Sequence, residues 1–239
     1  MKKHLILIFT SLLFLTGCVN QSHFVKINNN GKINYRFELS VPKSEISKLQ
    51  NYNIDNYDEI EKNPFILFKE ITKVYEDEGF EVEEIKADDT IGYYYSKTFK
   101  NVKEFNKQME KLKELDVNGY IPNASSKRNI LNTEYMLNGE LEYHIDEKTK
   151  ELFEDKDVDA LLDSLKANLT VFTPTEDFGY ENGTKDGKNV SFFSDATFEE
   201  IDPTQVRVVF RSSVSPVIIA GGGIVIGGTL LYFLRKRRR

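Results

Sequence analysis

Two apolar segments, one at each end, fix the topology of this chain before any fold is considered. The C-terminal segment runs from Pro216 to Leu234 without a charge, and Arg235-Lys236-Arg237-Arg238-Arg239 follows at once. Its nineteen residues, at about 1.5 Å each, reach roughly 28 Å, enough to cross a hydrocarbon core of about 30 Å. Five terminal cations place that end in the cytoplasm, and Tyr232 and Phe233 fall where an interfacial aromatic belt belongs. Arg211-Ser-Ser-Val-Ser-Pro216 lacks the Leu-Pro-x-Thr-Gly motif of a cell-wall sorting signal, so residues 216–234 read as a retained transmembrane helix and 235–239 as its cytoplasmic tail.

The N-terminal segment is built differently. Lys2 and Lys3 precede the apolar stretch Leu5–Phe14, and Leu15-Thr16-Gly17-Cys18 closes it, so residues 1–17 have the anatomy of a secretory signal rather than of a spanning helix. Leu15, Thr16, Gly17 and Cys18 resemble the bacterial lipobox, in which the thiol receives a diacylglyceryl group, with a palmitate-type acylation to follow, and cleavage occurs just before the cysteine. Cys18 is the only cysteine in the chain, which excludes an intramolecular disulfide and a Cys-based metal cluster. Acylation also caps a thiol that would otherwise be exposed to oxidation. The expected arrangement is an extracytoplasmic domain over 18–215 at a bacterial cell membrane, lipidated at its first residue. Its connectors, Val19 to Ser22 and Ser212 to Ser215, extend at most ~14 Å each.

Of the 32 lysines and arginines, Lys2, Lys3 and the five tail cations lie outside that domain, leaving 25 bases against 38 acids and a domain charge of −13. Such a domain is not drawn to nucleic acid, and anionic lipid headgroups are expected to repel it weakly. It leads one to expect any lipid to be held by an apolar cavity rather than by a basic patch.

Within the domain, Phe24 and Ile27, then Ile33, Tyr35, Phe37 and Leu39, alternate around Asn28-Asn29-Asn30-Gly31, the pattern of an antiparallel hairpin. Ser44 to Leu49 reads as a short helix. Asn63-Pro64 reads as a capped helix start whose Phe65, Phe68, Ile71 and Tyr75 share one face until Gly79. Phe80–Lys86 and Ile91–Phe99 flank Asp88-Asp89 as strands, and Asn101 with Glu104 resembles a capping box before Val102, Phe105, Met109 and Leu112. Asn138-Gly139 suggests a second hairpin, Val158 to Leu165 a helix, and Asn168–Thr173, Val190–Phe193 and Val206–Phe210 strands. The fold class is α+β: an antiparallel sheet with amphipathic helices packed on one face, plus the C-terminal transmembrane helix.

A lipobox cysteine leading into a strand, an Asn-x-Gly-type turn and a second strand ending in Val41-Pro42 resembles the LppM-like lipoproteins. So does Thr173-Pro174 through Asn182-Gly183-Thr184 and Asp186-Gly187-Lys188-Asn189-Val190-Ser191-Phe192, although Phe192 or Phe193 stands where that pattern has tryptophan. The resemblance implies an α+β envelope domain that binds lipid or glycolipid, without a catalytic motif.

The residues themselves offer little chemistry. His4, His23 and His144 form no metal-binding spacing, and no nucleophile elbow or phosphate-cradling loop is present. Asp155, Asp157 and Asp159 alternate, but Ala160 occupies the position where a calcium loop needs glycine. No cofactor, metal or catalytic residue is expected, and the chain reads as a non-enzymatic binding module. Tyr93 and Tyr95, with Phe65 and Phe68, are the candidates for an apolar ligand pocket, against plain core packing. Gly223 and Gly227 fit a small-xxx-small helix contact. The other expected role is a scaffold that recruits a cationic envelope protein through the acidic domain.

Overall fold

The structure, a computed structural model, describes residues 20–48, 57–114, 123–129, 132–141, 143–144, 166–197 and 204–212. The signal, Cys18, the transmembrane run with Gly223 and Gly227, the basic tail, the Asp155–Asp159 run and the Val158–Leu165 helix lie outside the described residues. Among those described, no helix is long and apolar enough to cross a membrane.

Strand β1 (Asn20–Ile27) and strand β2 (Ile33–Pro42) form the expected hairpin, with Ile27 opposite Ile33 and Asn20 opposite Ser40. Gly31 takes φ +81° in the turn, a conformation that costs glycine little. Helix α1 (Lys43–Lys48) and helix α2 (Tyr57–Lys62) follow. Asn63 does not cap the next helix with its side chain. Its carbonyl instead accepts from Ile66 N–H at 3.1 Å, and Pro64–Phe68 winds as a 3-10 turn before helix α3 (Lys69–Asp77). Gly79, at φ +74°, ends that unit.

Strand β3 (Glu81–Lys86) and strand β4 (Thr90–Phe99) pair antiparallel, and helix α4 (Val102–Glu114) follows. Asn101 Oδ1 accepts from Glu104 N–H at 3.0 Å, while the Glu104 carboxylate reaches back to Lys100 N–H at 3.1 Å, one residue earlier than a strict capping box. Phe105, Met109 and Leu112 are buried, as the helical spacing requires. A polar clamp ties α3 to α4 and β4. Lys97 Nζ donates to the Glu78 carbonyl and, at 2.8 Å, to Gln108 Oε1, while Lys111 pairs with Glu78 at 2.7 Å. Burial alone would raise the Glu78 carboxyl, but the bonds from Lys111 and Gln108 hold it below its usual range.

The second half differs from the expectation. Strand β5 (Asn123–Arg128) pairs with strand β6 (Thr133–Leu141), which runs straight through Asn138-Gly139. At the end of that pair the Asn129 N–H donates to the Asn132 carbonyl at 2.8 Å. Strand β7 (Tyr143–His144) is a two-residue piece. Strand β8 (Lys166–Phe172), strand β9 (Phe178–Glu181), strand β10 (Thr184–Asp186), strand β11 (Asn189–Thr197) and strand β12 (Thr204–Arg211) complete the fold. The long turn between β8 and β11 therefore contains two strands of its own, with Asn182 at φ +62° between them.

Two sheets result instead of one. The larger has the order β10-β11-β8-β1-β2-β4-β3, with β7 attached to β11, and the smaller is β5-β6-β12-β9. The large sheet is mixed, because β1 pairs parallel with β8 and β11 parallel with β7. Its inner face buries Val25, Ile27, Phe37, Leu39, Tyr95, Leu169, Val171 and Phe192 in one core with α3, α4 and the inner face of the small sheet, represented by Leu137, Val208 and Phe210. The helices thus cover one part of that face and the small sheet the rest. On the outer face of the large sheet Lys26, Asn34 and Thr98 are exposed.

Candidate functional site

The period of two along each strand sends alternate residues to the outer face. Register aligns them into rows across strands. One row runs Ser191, Thr170, Phe24, Arg36, Ser96 and Glu81, from β11 to β3. The next is Asn189, Phe172, Lys26, Asn34 and Thr98. Over these rows lies a groove of about 660 Å³, lined by Phe24, Lys26, Asn34, Arg36, Glu81, Ser96, Thr98 and Phe172, with Tyr35, Gly79 and Lys97 completing its walls. That volume is within the ~300–1,000 Å³ of small-molecule sites.

One flank of the groove is aromatic: the rings of Phe24 and Phe172 stack with centroids 6.4 Å apart. Its floor is cationic. The Arg36 guanidinium lies 3.4 Å above the Tyr94 ring, which holds it flat against the sheet. Arg36 Nε is enclosed and has no polar partner among the described residues. Lys26 is exposed beside it. Lys97 Nζ is turned away to Glu78 and Gln108, and Glu81 is the one carboxylate in the lining. The arrangement can hold a group with an apolar body and an anionic or hydroxyl-rich head. The domain charge did not foretell cations here, because a net value averages over faces that the fold separates.

Phe65, Phe68, Tyr93 and Tyr95 are brought together elsewhere, under α3. Tyr93 meets Phe65 at 5.4 Å and Phe68 at 5.8 Å, both edge to face, and lies 6.1 Å from Tyr95. Phe68 and Tyr95 are fully buried, and Thr72 Oγ1 lies 3.0 Å from the Tyr95 hydroxyl. None of the four lines the groove, which is on the other side of the sheet. The sequence signal for the groove was the outward half of the first hairpin, where Phe24, Lys26, Asn34 and Arg36 alternate with core residues.

His23 is fully buried. It stacks on Phe37 at 4.8 Å, and its Nδ1 lies 2.8 Å from the Tyr35 hydroxyl, while Nε2 has no partner among the described residues. Burial lowers its pKa to about 3, so the ring is neutral at physiological pH. Stacked on Phe37 and sealed in with Tyr35, it packs as a core residue. Among the described residues no cluster of His, Cys, Asp and Glu has the geometry to hold a metal.

Comparison with known proteins adds one likeness. The chain is similar to LppM. The NMR structure of the folded domain of LppM from Mycobacterium tuberculosis aligns over 83% of this chain and 91% of that one, at 11% identity and a TM-score of 0.42. This is the family that the turn patterning resembles, and at that level the likeness assigns no residue a role. No family model and no curated protein matches the chain.

Proposed function

We propose that this protein is a non-enzymatic binding module of the bacterial envelope. It is held at the outer face of the membrane by a lipid on Cys18 and by a helix over Pro216–Leu234, and the groove takes a lipid or glycolipid. The observation that carries this reading is the pairing of the Phe24–Phe172 flank with Lys26 and Arg36 in one cavity of about 660 Å³. An acyl or sterol-like body removes apolar ring surface from water, and an anionic or polyhydroxyl head meets cations that have no ion-pair partner among the described residues. The sequence supplies the tethers: a lipobox at one end and an uncharged run with five cations at the other.

The test is lipid mass spectrometry on the full chain, extracted with its surrounding bilayer in polymer discs. A lipid class enriched over the bulk membrane, and lost in the double variant Phe24→Ser/Phe172→Ser at unchanged melting temperature, supports the reading. A wild-type profile identical to the bulk membrane overturns it.

A second reading has its own observation. Strand β3 is a sheet edge whose Glu81, Glu83 and Glu84 are exposed, a surface suited to a cationic protein partner. Crosslinking in intact cells from a photoreactive residue at position 83 that captured no protein would remove it.

A further inference from the structure

We infer that the domain lies on its side on the bilayer, with the outer face of the large sheet turned to the lipid headgroups. The inference rests on the two tethers proposed above and goes beyond them to a surface and an orientation.

The first observation is where the chain enters and leaves the fold. Strand β1 begins at Asn20, two residues after Cys18, and β12 ends at Arg211. At the start of β12, Thr204 Oγ1 donates to the Phe193 carbonyl at 3.2 Å. Phe193 is opposite Asn168, and Asn168 is opposite Ser22, so β12 starts beside the Asn20 end of β1. Near its other end, Tyr135 pairs with Phe210 and presses its hydroxyl against Gly31, where an added Cβ would meet it at 2.9 Å. Gly31 belongs to the turn that follows β1. Strand β12 therefore runs alongside β1 in the same sense, and the two exits lie at opposite ends of the domain. At about 3.3 Å per residue, the eight residues of β1 separate them by about 23 Å.

The tethers are shorter than that. From Asn20 back to Cys18 the chain reaches ~7 Å, and from Ser212 to Pro216 ~14 Å. Strands standing upright would leave one exit about 23 Å above the bilayer, out of reach of either tether. Both exits must be close to the membrane, so the strands lie along it.

Tether length also selects the face. The shorter tether leaves the large sheet and the longer one leaves the small sheet, and stacked sheets are about 10 Å apart. Only with the large sheet next to the bilayer is the extra layer spanned by the longer connector. The outer face of the large sheet carries Glu38, Glu81 and Glu83 as well as Lys26 and Arg36, so net charge does not select between the faces. Its rings agree with the choice made by the tethers: Phe193 is 57% exposed on that face, and Phe24 and Phe172 flank the groove. Aromatic rings suit the boundary between headgroups and acyl chains, and the groove then opens toward the headgroups.

The test uses the full chain in vesicles of equal parts phosphatidylcholine and phosphatidylglycerol. Thr98→Cys labels the outer face of the large sheet and Gln205→Cys that of the small sheet, each with a fluorophore. A nitroxide on the lipid headgroup is expected to quench the Thr98 label several-fold more than the Gln205 label, and aqueous iodide to do the reverse. Equal or inverted quenching in chain that resists a carbonate wash overturns this inference alone. Release by carbonate, or fluorophore uptake by Cys18 in the unsubstituted chain, overturns the tether reading beneath it.

Discussion

Nδ1 of His23 sits 2.8 Å from the hydroxyl of Tyr35, diagonally across the β1–β2 ladder, with both side chains sealed in the core. Burial pushes the tyrosine pKa up and the histidine pKa down to about 3, so neither group ionises in the folded protein near neutrality. The unfolded chain titrates its histidine near 6.5. Between those values the unfolded state binds a proton that the native state refuses, so stability is full above about 6.5 and falls as pH drops toward 3. The expected slope from this residue approaches about 1.4 kcal/mol per pH unit. Denaturant titrations at several pH values should show that slope in the wild type and lose it in His23→Phe. At neutral pH that variant should itself be about 1–3 kcal/mol less stable, because it orphans the Tyr35 hydroxyl.

Gly92 allows β4 to approach β2 closely. An added Cβ would lie 2.1 Å from the Leu39 carbonyl oxygen and 2.6 Å from the Ser40 Cα, both backbone atoms that cannot swing aside. Gly92→Ala is expected to cost about 3 kcal/mol or to prevent folding, read as a shifted denaturation midpoint. Gly187→Ala tests a different cost. It has open space around it but φ +57°, so only backbone strain of about 1 kcal/mol applies.

Asn101 accepts the Glu104 N–H at the start of α4. Asn101→Ala should destabilise the protein by about 1 kcal/mol, and Asn101→Ser should restore most of the loss, measured by the same titration.

Lys97 joins three elements through the Glu78 carbonyl and Gln108. Lys97→Met keeps the alkyl stem against Phe80 and Phe99 and removes the bonds. A loss of about 1–2 kcal/mol is expected, with amide exchange faster at the C-terminal end of α3 than in β1.

The described elements between Asn20 and Glu114 were largely legible because their signals are local, the side-chain cap expected of Asn63 excepted. Asn28 to Gly31 turns the hairpin, Gly79 stops a helical unit, and Asn101 with Glu104 starts another. Asn138-Gly139 has the same composition as a hairpin turn and is instead mid-strand. There Gly139 is opposite Val206 and Asn138 opposite Arg207, in a ladder whose other half arrives more than sixty residues later. A turn preference worth a fraction of a kcal/mol yields to an eight-residue ladder. The parallel pairing of β1 with β8 is non-local in the same way, and it turned an expected single antiparallel sheet into a mixed one with a second sheet beside it. The groove was hidden for the same reason. It exists only when the outward residues of β1, β2, β4 and β8 are brought into register, and no single segment carries its pattern.

Strand β1 begins two residues after Cys18, and its parallel neighbour β8 lies on its far flank, with Asn168 bonded to Ser22 across 146 positions. A chain exported from its N-terminus therefore delivers the central strand first and the strand that completes its hydrogen bonding much later. Until Lys166 to Phe172 has followed, one edge of β1 stands without its parallel neighbour. The central strand of the large sheet is thus made first and completed late, so the chain carries an unpaired strand edge through most of its own synthesis.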